Sequence, residues 1–205
     1  MGEENKLLFP SKEWAQEFCR SLNENKQFLE GARNIKWNSI LFVGVEAPEN
    51  VRAAVVKGVA ISLGVLNEDL IRQATELLSP TVPPEDRKIV MEALENITGR
   101  KLPEDIKNGY INNSSSGAVK LILDKGKCVA TEFYVDILNV SADVILEARY
   151  QDWVKIIEGK LDASLALLGG IIKIKKGSLS ELGKYTNTAL IFADVARKIN
   201  ARIQV

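Results

Sequence analysis

The side chains that most often carry enzyme chemistry are scarce in this sequence. Its 205 residues include no histidine, which excludes Ser-His-Asp and Cys-His nucleophile systems and His-ligated zinc. The only cysteines, Cys19 and Cys128, lie far apart. Two cysteines do not make the disulfide framework of a small secreted domain, so we expect reduced, buried and unreactive thiols. We predict no metal site and no cofactor.

Carboxylates alone can still act as acids and bases. Two pairs lie close to predicted strands, Glu132 with Asp136 and Asp143 with Glu147. Neither pair forms a known catalytic constellation, and no glycine-rich phosphate loop accompanies them. We therefore interpret these carboxylates as surface charge and predict that the protein is not an enzyme.

Composition narrows the remaining classes of function. Lys and Arg number 27 and Asp and Glu also 27, so no positive field favours nucleic acid. The longest apolar stretches, Val51–Leu66 and Leu161–Ile174, are shorter than a bilayer span and contain charges, so we expect no stable membrane insertion. The N-terminus is polar and acidic, unlike a signal peptide. We expect a cytoplasmic protein.

The predicted secondary structure that would position a site lies in two parts of the chain, one before residue 46 and one after residue 117. Ser11 is a predicted N-cap for a helix carrying Trp14, Phe18 and Leu22, and Ile40–Val45 is a predicted strand. Further strands and helices are predicted after residue 117: strands 118–123, 127–135, 144–150 and 171–176, and helices 152–158, 162–168 and 178–201. This order indicates an α+β fold with a mostly antiparallel or mixed five-stranded sheet covered by helices.

The segment between these parts differs in composition. Residues 43–109 contain no aromatic side chain. Two amphipathic helices are predicted at 68–78 and 84–98, the second opened by Pro83-Pro84 and ended by Gly99. We interpret residues 46–112 as a helical insertion between the first and second strands of a single domain, 1–205.

One continuous run resembles a family signature. Arg149-Tyr150-Gln151-Asp152-Trp153, followed by apolar pairs and Glu158-Gly159-Lys160-Leu161-Asp162, is similar to the signature of the sterol carrier protein type-two family. The resemblance covers about residues 7–45 and 118–200, including Phe9-Pro10-Ser11 and the glycine-broken turn before strand 172–176. The insertion at 46–112 departs from the family pattern.

The resemblance implies non-enzymatic binding or transfer of lipids in an internal apolar cavity. The ligand classes are fatty acids, fatty acyl thioesters, sterol-like molecules and phospholipids. The alternative left open by composition is a filled core. The candidate cavity residues are Phe42, Val55, Val59, Leu63, Phe133, Ile145, Ile157, Leu165, Leu168, Ile171, Leu182, Tyr185 and Phe192. The candidate head-group residues are Lys173, Lys175 and Lys184, for which a solvated edge strand is the alternative.

The insertion adds a second hypothesis. Its nearly all-apolar stretch Val51–Leu66 must bury against something, so we expect a lid in which Val55, Val59 and Leu63 extend the cavity wall. The alternative is an accessory subunit of a lipid- or quinone-metabolising enzyme, which uses residues 46–112 to dock a partner enzyme or a second copy of the chain.

Overall fold

The computed structural model describes residues 6–45, 67–77, 82–101, 104, 107, 117–134, 140–184 and 186–203. The chain divides into two compact units. The first comprises residues 1–45, 117–133 and 141–204, and the second comprises residues 46–116, 134–140 and 205.

Seven strands are present in the described residues. They are β1 (Leu7–Phe9), β2 (Ser39–Val45), β3 (Ala118–Asp124), β4 (Lys127–Tyr134), β5 (Val144–Arg149), β6 (Lys173–Lys176) and β7 (Ala201–Ile203). Five of them form a mixed sheet in the order β4-β3-β2-β5-β6. Strand β2 pairs antiparallel with β3 and parallel with β5, and β6 is antiparallel to β5. The predicted α+β fold with a five-stranded sheet is confirmed.

Several helices begin where short polar side chains cap them. In chain order the described helices are α1 (Lys12–Glu24), α2 (Lys26–Ala32), α3 (Glu68–Leu77), α4 (Pro84–Thr98), α5 (Tyr150–Ile157), α6 (Ala163–Leu168), α7 (Leu179–Gly183) and α8 (Thr186–Lys198). Ser11, Asp162 and Ser178 each accept a backbone N–H from the first turn of the following helix. Each cap satisfies donors that have no partner within the helix, and the predicted cap at Ser11 is confirmed.

The predicted final helix over 178–201 is wrong as one continuous element. The chain forms α7, ends it at Gly183 and begins α8 at Thr186. Beyond Lys198 it extends into β7, which pairs in parallel with β1 from Leu7↔Ala201 to Phe9↔Ile203. The pairing of distant chain segments overrides the local helical pattern at the C-terminal end.

The expectation of two reduced thiols is also wrong. Cys19 on α1 and Cys128 on β4 form a disulfide with a Cα–Cα distance of 5.4 Å. The Asn23 side chain strengthens the same junction, because its amide donates to the Cys128 carbonyl at 2.7 Å and its oxygen accepts from the Cys128 N–H at 2.9 Å. Helix α1 is thereby attached to the sheet by one covalent bond and two hydrogen bonds.

The turn between β3 and β4 requires glycine for two reasons. Gly126 has φ +80°, a conformation that is easy for glycine and strained for other residues. A Cβ at this position would lie 2.6 Å from the carbonyl carbon of Ala32, at the end of α2. The close approach shows that the turn packs directly on the end of a helix.

The second unit contains α3 and α4. Helix α4 follows Pro83 and ends at Gly99, which has φ +65°, as predicted from the start and stop signals. Arg87 and Met91 are its buried residues. The segment Val51–Leu66, predicted to form a lid, lies outside the described residues.

Candidate functional site

One face of the sheet is apolar and lines a cavity. Ile40, Phe42 and Gly44 alternate along β2 and therefore project to the same side. Phe42 lies in register with Val119 on β3 and Leu146 on β5, so the same face continues across three strands. All five of these residues line the cavity.

Helices and connecting segments enclose the rest of the cavity. The wall residues outside the strands of this sheet are Phe9, Pro10, Trp14, Phe18, Trp37, Gly117, Tyr150, Trp153, Ile156, Ile157, Ala163, Leu167, Ile172, Leu182, Thr188, Phe192, Ala193 and Ala196. They come from α1, α5, α6, α7 and α8 and from the segments around them. The cavity therefore lies between one sheet face and the helical layer of the first unit.

The volume of this cavity exceeds that of a packing defect. It measures about 110 Å³, far more than the roughly 10–15 Å³ that a single water molecule requires. An engineered apolar cavity of about 150 Å³ binds one benzene molecule, so the volume is in the range of a small hydrocarbon group.

Aromatic rings form much of the wall near β2. The Phe42 ring lies 5.7 Å from that of Trp153 and 5.9 Å from that of Phe192, centroid to centroid, and Phe192 lies 6.0 Å from Phe18. These edge-to-face and tilted contacts hold large side chains in fixed positions. All four rings line the cavity.

Two polar groups on the wall have partners in the protein backbone. The Trp153 Nε1–H donates to the Val43 carbonyl at 2.8 Å, and the Tyr150 hydroxyl donates to the Phe9 carbonyl at 3.2 Å. Burial raises the pKa of Tyr150 to about 12, so this phenol stays neutral at physiological pH. Among the residues that the structure describes, the wall contains no Asp, Glu, Lys or Arg, and such a surface suits an apolar molecule.

The carboxylate of the signature helix lies outside the cavity wall. Asp152 is buried and accepts hydrogen bonds from Arg149 Nε at 2.9 Å and from Lys155 Nζ at 3.1 Å. Burial acts to raise the pKa of Asp152, but the hydrogen bonds from Arg149 and Lys155 outweigh it and the pKa is lowered. This carboxylate is therefore a charged structural group that links Arg149, at the start of α5, to Lys155 in the same helix.

The carboxylates considered for acid–base chemistry have structural partners. Asp143 accepts the backbone N–H groups of Asn38 and Ser39 at 2.7 and 3.1 Å. Glu132 pairs with Lys120 at 3.1 Å, and Glu147 pairs with Lys175 at 3.6 Å. Asp136 lies outside the described residues. The three described carboxylates lie off the cavity wall.

The structure distributes the predicted cavity residues in three ways. Phe42, Ile157, Leu182 and Phe192 lie on the cavity wall. Off the wall lie Phe133, Ile145, Leu165, Leu168 and Ile171, the last three with exposed side chains. Outside the described residues or side chains lie Val55, Val59, Leu63 and Tyr185. Lys173, Lys175 and Lys184 are exposed and do not line the cavity.

Several wall residues were not among the predicted set. Trp14 and Phe18, four residues apart on α1, face the cavity, as do Phe192 and Ala196, four apart on α8. Such spacing places each pair on one helix face. The spacing of Trp14 and Phe18 was visible in the sequence, but it is equally typical of a solid core. No sequence pattern indicated Thr188 as a wall residue, because only the fold places this buried hydroxyl on the wall.

Metal and membrane signals are absent from the part of the chain that the structure describes. Its His, Cys, Asp and Glu residues form no cluster of three or more that could hold a metal ion. Among the same residues, no helix has the length and apolarity needed to cross a bilayer.

Comparison with solved structures finds the same fold. A crystal structure of sterol carrier protein 2 matches with a TM-score of 0.55 and 21% identity over 92% of this chain and 97% of that one. A solution structure of a conserved hypothetical protein from Thermus thermophilus, suggested to be a sterol carrier protein, matches with a TM-score of 0.58 and 19% identity. That match covers 98% of this chain and 96% of the other. No protein-family model matches the sequence, and no curated protein is significantly similar to it.

Proposed function

We propose that this protein, whose fold is that of sterol carrier protein 2, binds an apolar lipid in the cavity of its first unit and transfers it without catalysis. The observation that supports this most directly is the cavity itself, about 110 Å³ in volume, with a wall whose described residues include no charged side chain. Fatty acids, fatty acyl thioesters, sterol-like molecules and phospholipids are the ligand classes to test. The size of the cavity favours those with a single chain of moderate length.

The first measurement is native mass spectrometry of protein purified without detergent, followed by lipid extraction. A stoichiometric bound lipid supports the proposal and identifies the ligand class. Titration with a fluorescent fatty acid and a fluorescent acyl thioester then measures affinity. If no class of apolar ligand gives saturable binding, the proposal is wrong and the cavity is an imperfectly filled core.

A cavity-filling variant localises the binding. Ala193 lines the cavity from α8, so Ala193→Phe places a ring in the ligand space. We expect fatty-acid affinity to fall at least about tenfold, while overpacking costs no more than about 1–3 kcal/mol in unfolding free energy. The matched control is Ala130→Phe, which adds the same ring to an exposed position on β4 and leaves affinity unchanged. Equal affinity of the two variants would show that the lipid binds elsewhere.

The second candidate function is docking of a partner through the insertion. Ile89 and Ile97 on α4 are 63% and 66% exposed, and their spacing of eight residues places them close to one helix face. Exposed aliphatic residues on one face are typical of an interaction surface. Sedimentation of the purified protein tests self-association directly. A monomer that carries stoichiometric lipid would exclude docking of a second copy of the chain. Docking of a partner enzyme would then be the version of this function left to test.

A further inference from the structure

Helix α6 separates the cavity from solvent. Ala163 and Leu167 line the cavity from one side of this helix, and both side chains are only partly buried. Leu165 and Leu168, in contrast, are 67% and 70% exposed. On a helical wheel the first pair and the second pair lie on opposite sides. One short helix therefore presents apolar side chains to the cavity and to the outside.

The exposed apolar surface continues beyond this helix. The chain turns at Gly169-Gly170, where the Ile172 N–H donates to the Ala166 carbonyl at 3.0 Å and holds the turn against α6. Ile171, within this turn, is 41% exposed. Isolated exposed aliphatic residues are common on proteins, but three within seven residues form a patch of the kind that marks a docking surface.

Lysines border this patch. Lys173 and Lys176 lie on the edge strand β6, which follows the turn, and Lys184 follows α7. All three side chains are exposed, and none forms an ion pair within the described residues. Lys175 is paired with Glu147 at 3.6 Å, and Glu181 accepts a hydrogen bond from the Ser178 hydroxyl at 3.3 Å. The segment 162–184 contains four lysines and two carboxylates, Asp162 and Glu181, so its net charge is +2 beside the apolar patch.

We propose that Leu165, Leu168 and Ile171, with Lys173, Lys176 and Lys184, form a docking face for an anionic lipid bilayer. Leucine and isoleucine side chains enter the boundary between head groups and acyl chains, while lysines bind anionic head groups. Charge selects this partner over a second copy of the chain, because two lysine-bordered faces would repel each other.

The docking face lies next to the cavity, which would allow a lipid to pass from the bilayer into it. Leu167, Ile172 and Leu182 line the cavity from the same α6–β6–α7 segment that carries the exposed face. Docking would place the thin α6 barrier against the bilayer, so a lipid would cross only this barrier to enter the cavity. The docking face goes beyond the proposed lipid binding and is tested separately from it.

Vesicle co-sedimentation tests the face. We expect the protein to pellet with vesicles containing about one third phosphatidylserine and much less with pure phosphatidylcholine, with binding that decreases as salt increases. The variant Lys173→Gln/Lys176→Gln/Lys184→Gln should lower the partition coefficient at least about tenfold. Its control, Lys26→Gln/Lys36→Gln/Lys127→Gln, removes three exposed lysines from other surfaces and should lower it far less.

The apolar part of the face has its own variant. Leu165→Ser/Leu168→Ser changes two exposed side chains and should reduce pelleting and slow fatty-acid transfer from anionic vesicles, with fatty-acid affinity in vesicle-free solution unchanged. Ile89→Ser/Ile97→Ser is the matched control with two exposed isoleucines. Failure of the wild type to pellet with anionic vesicles, or equal pelleting by face and control variants, would overturn the docking face. Loss of fatty-acid binding in vesicle-free solution would instead contradict the cavity proposal.

Discussion

Asp152 shows how a single buried charge is stabilised beside an apolar cavity. Its carboxylate is 4% exposed and contacts two cations, Arg149 and Lys155, that are themselves 62% and 49% exposed. A buried carboxylate without a cation would be strongly unfavourable. The signature run therefore places an acidic residue between Arg149 and Lys155, each three residues away, where helical geometry brings all three together.

This arrangement predicts a pH dependence of stability. The pKa of Asp152 in the folded state is lower than its ordinary value, so the ionised form stabilises the fold. That contribution is present above the unfolded-state pKa, about 3.9, and is lost as pH falls through the lower folded-state pKa. We expect Asp152→Asn to destabilise the protein near neutral pH and to flatten the decline of unfolding free energy on the acid side.

The matched control for this prediction is Asp194→Asn. Asp194 also pairs with an arginine three residues away, Arg197, at 2.9 Å, but its side chain is 58% exposed. An exposed pair contributes about 0–1 kcal/mol, so the acid-side profile of this variant should match that of the wild type. Denaturant unfolding at a series of pH values measures both variants. Identical profiles for the two would show that burial at Asp152 is not important.

At the scale of elements, the contacts between the hairpin and the helices fix the spacing of the two layers. Gly126 meets the backbone of Ala32 at the end of α2, and Asn23 joins the end of α1 to Cys128 at the start of β4. Backbone groups have no alternative rotamers with which to relieve a clash. These contacts therefore hold the helical layer at one distance from the sheet, and the cavity lies in the space that this distance leaves open.

We expect Gly126→Ala to be much more destabilising than Gly99→Ala. Both glycines have positive φ, +80° and +65°, but a Cβ on Gly99 would meet nothing within 4 Å. Gly99→Ala should therefore cost only the strain of the left-handed conformation, about 1 kcal/mol. Gly126→Ala adds a clash with the backbone and should cost at least about 3 kcal/mol. Equal losses in thermal unfolding would mean that the turn relaxes away from α2.

At the scale of the whole molecule, the disulfide between Cys19 and Cys128 closes a loop of 109 residues by sequence separation. The loop contains residues 46–112 as well as β2 and β3. A cross-link of this span restricts the unfolded chain strongly. Disulfides are uncommon in reducing compartments. The disulfide therefore argues against the cytoplasmic location expected from the sequence, which stays a prediction.

Removing the cross-link should have a large effect. We expect Cys19→Ser/Cys128→Ser, or the reduced wild type, to lose about 3–5 kcal/mol of unfolding free energy. Thermal unfolding with and without reductant measures the loss, and the serine variant should be insensitive to reductant. A thiol assay on unreduced, denatured protein is the direct check: two free thiols per chain would contradict the bond.

Much of the local structure could be predicted because its determinants lie within a few residues. Ser11, Asp162 and Ser178 cap helices through hydrogen bonds to residues two or three positions away. The positive φ of Gly126 in the β3–β4 turn is local in the same sense, whereas its close approach to Ala32 is not. Similarly, the signature run around Trp153 indicated a fold that structural similarity then confirmed.

Other features depend on residues that are distant in the sequence. The cysteines of the disulfide are 109 positions apart, and β1 pairs with β7 from opposite ends of the described chain. The cavity wall combines side chains from Phe9 to Ala196, and an apolar pattern alone is the same for a filled core and an open one. Sequence therefore determined most of the helices and the strands of the five-stranded sheet, their caps and their apolar faces. Only the tertiary structure decided which faces meet and how far apart they stay, because that distance follows from packing among distant residues.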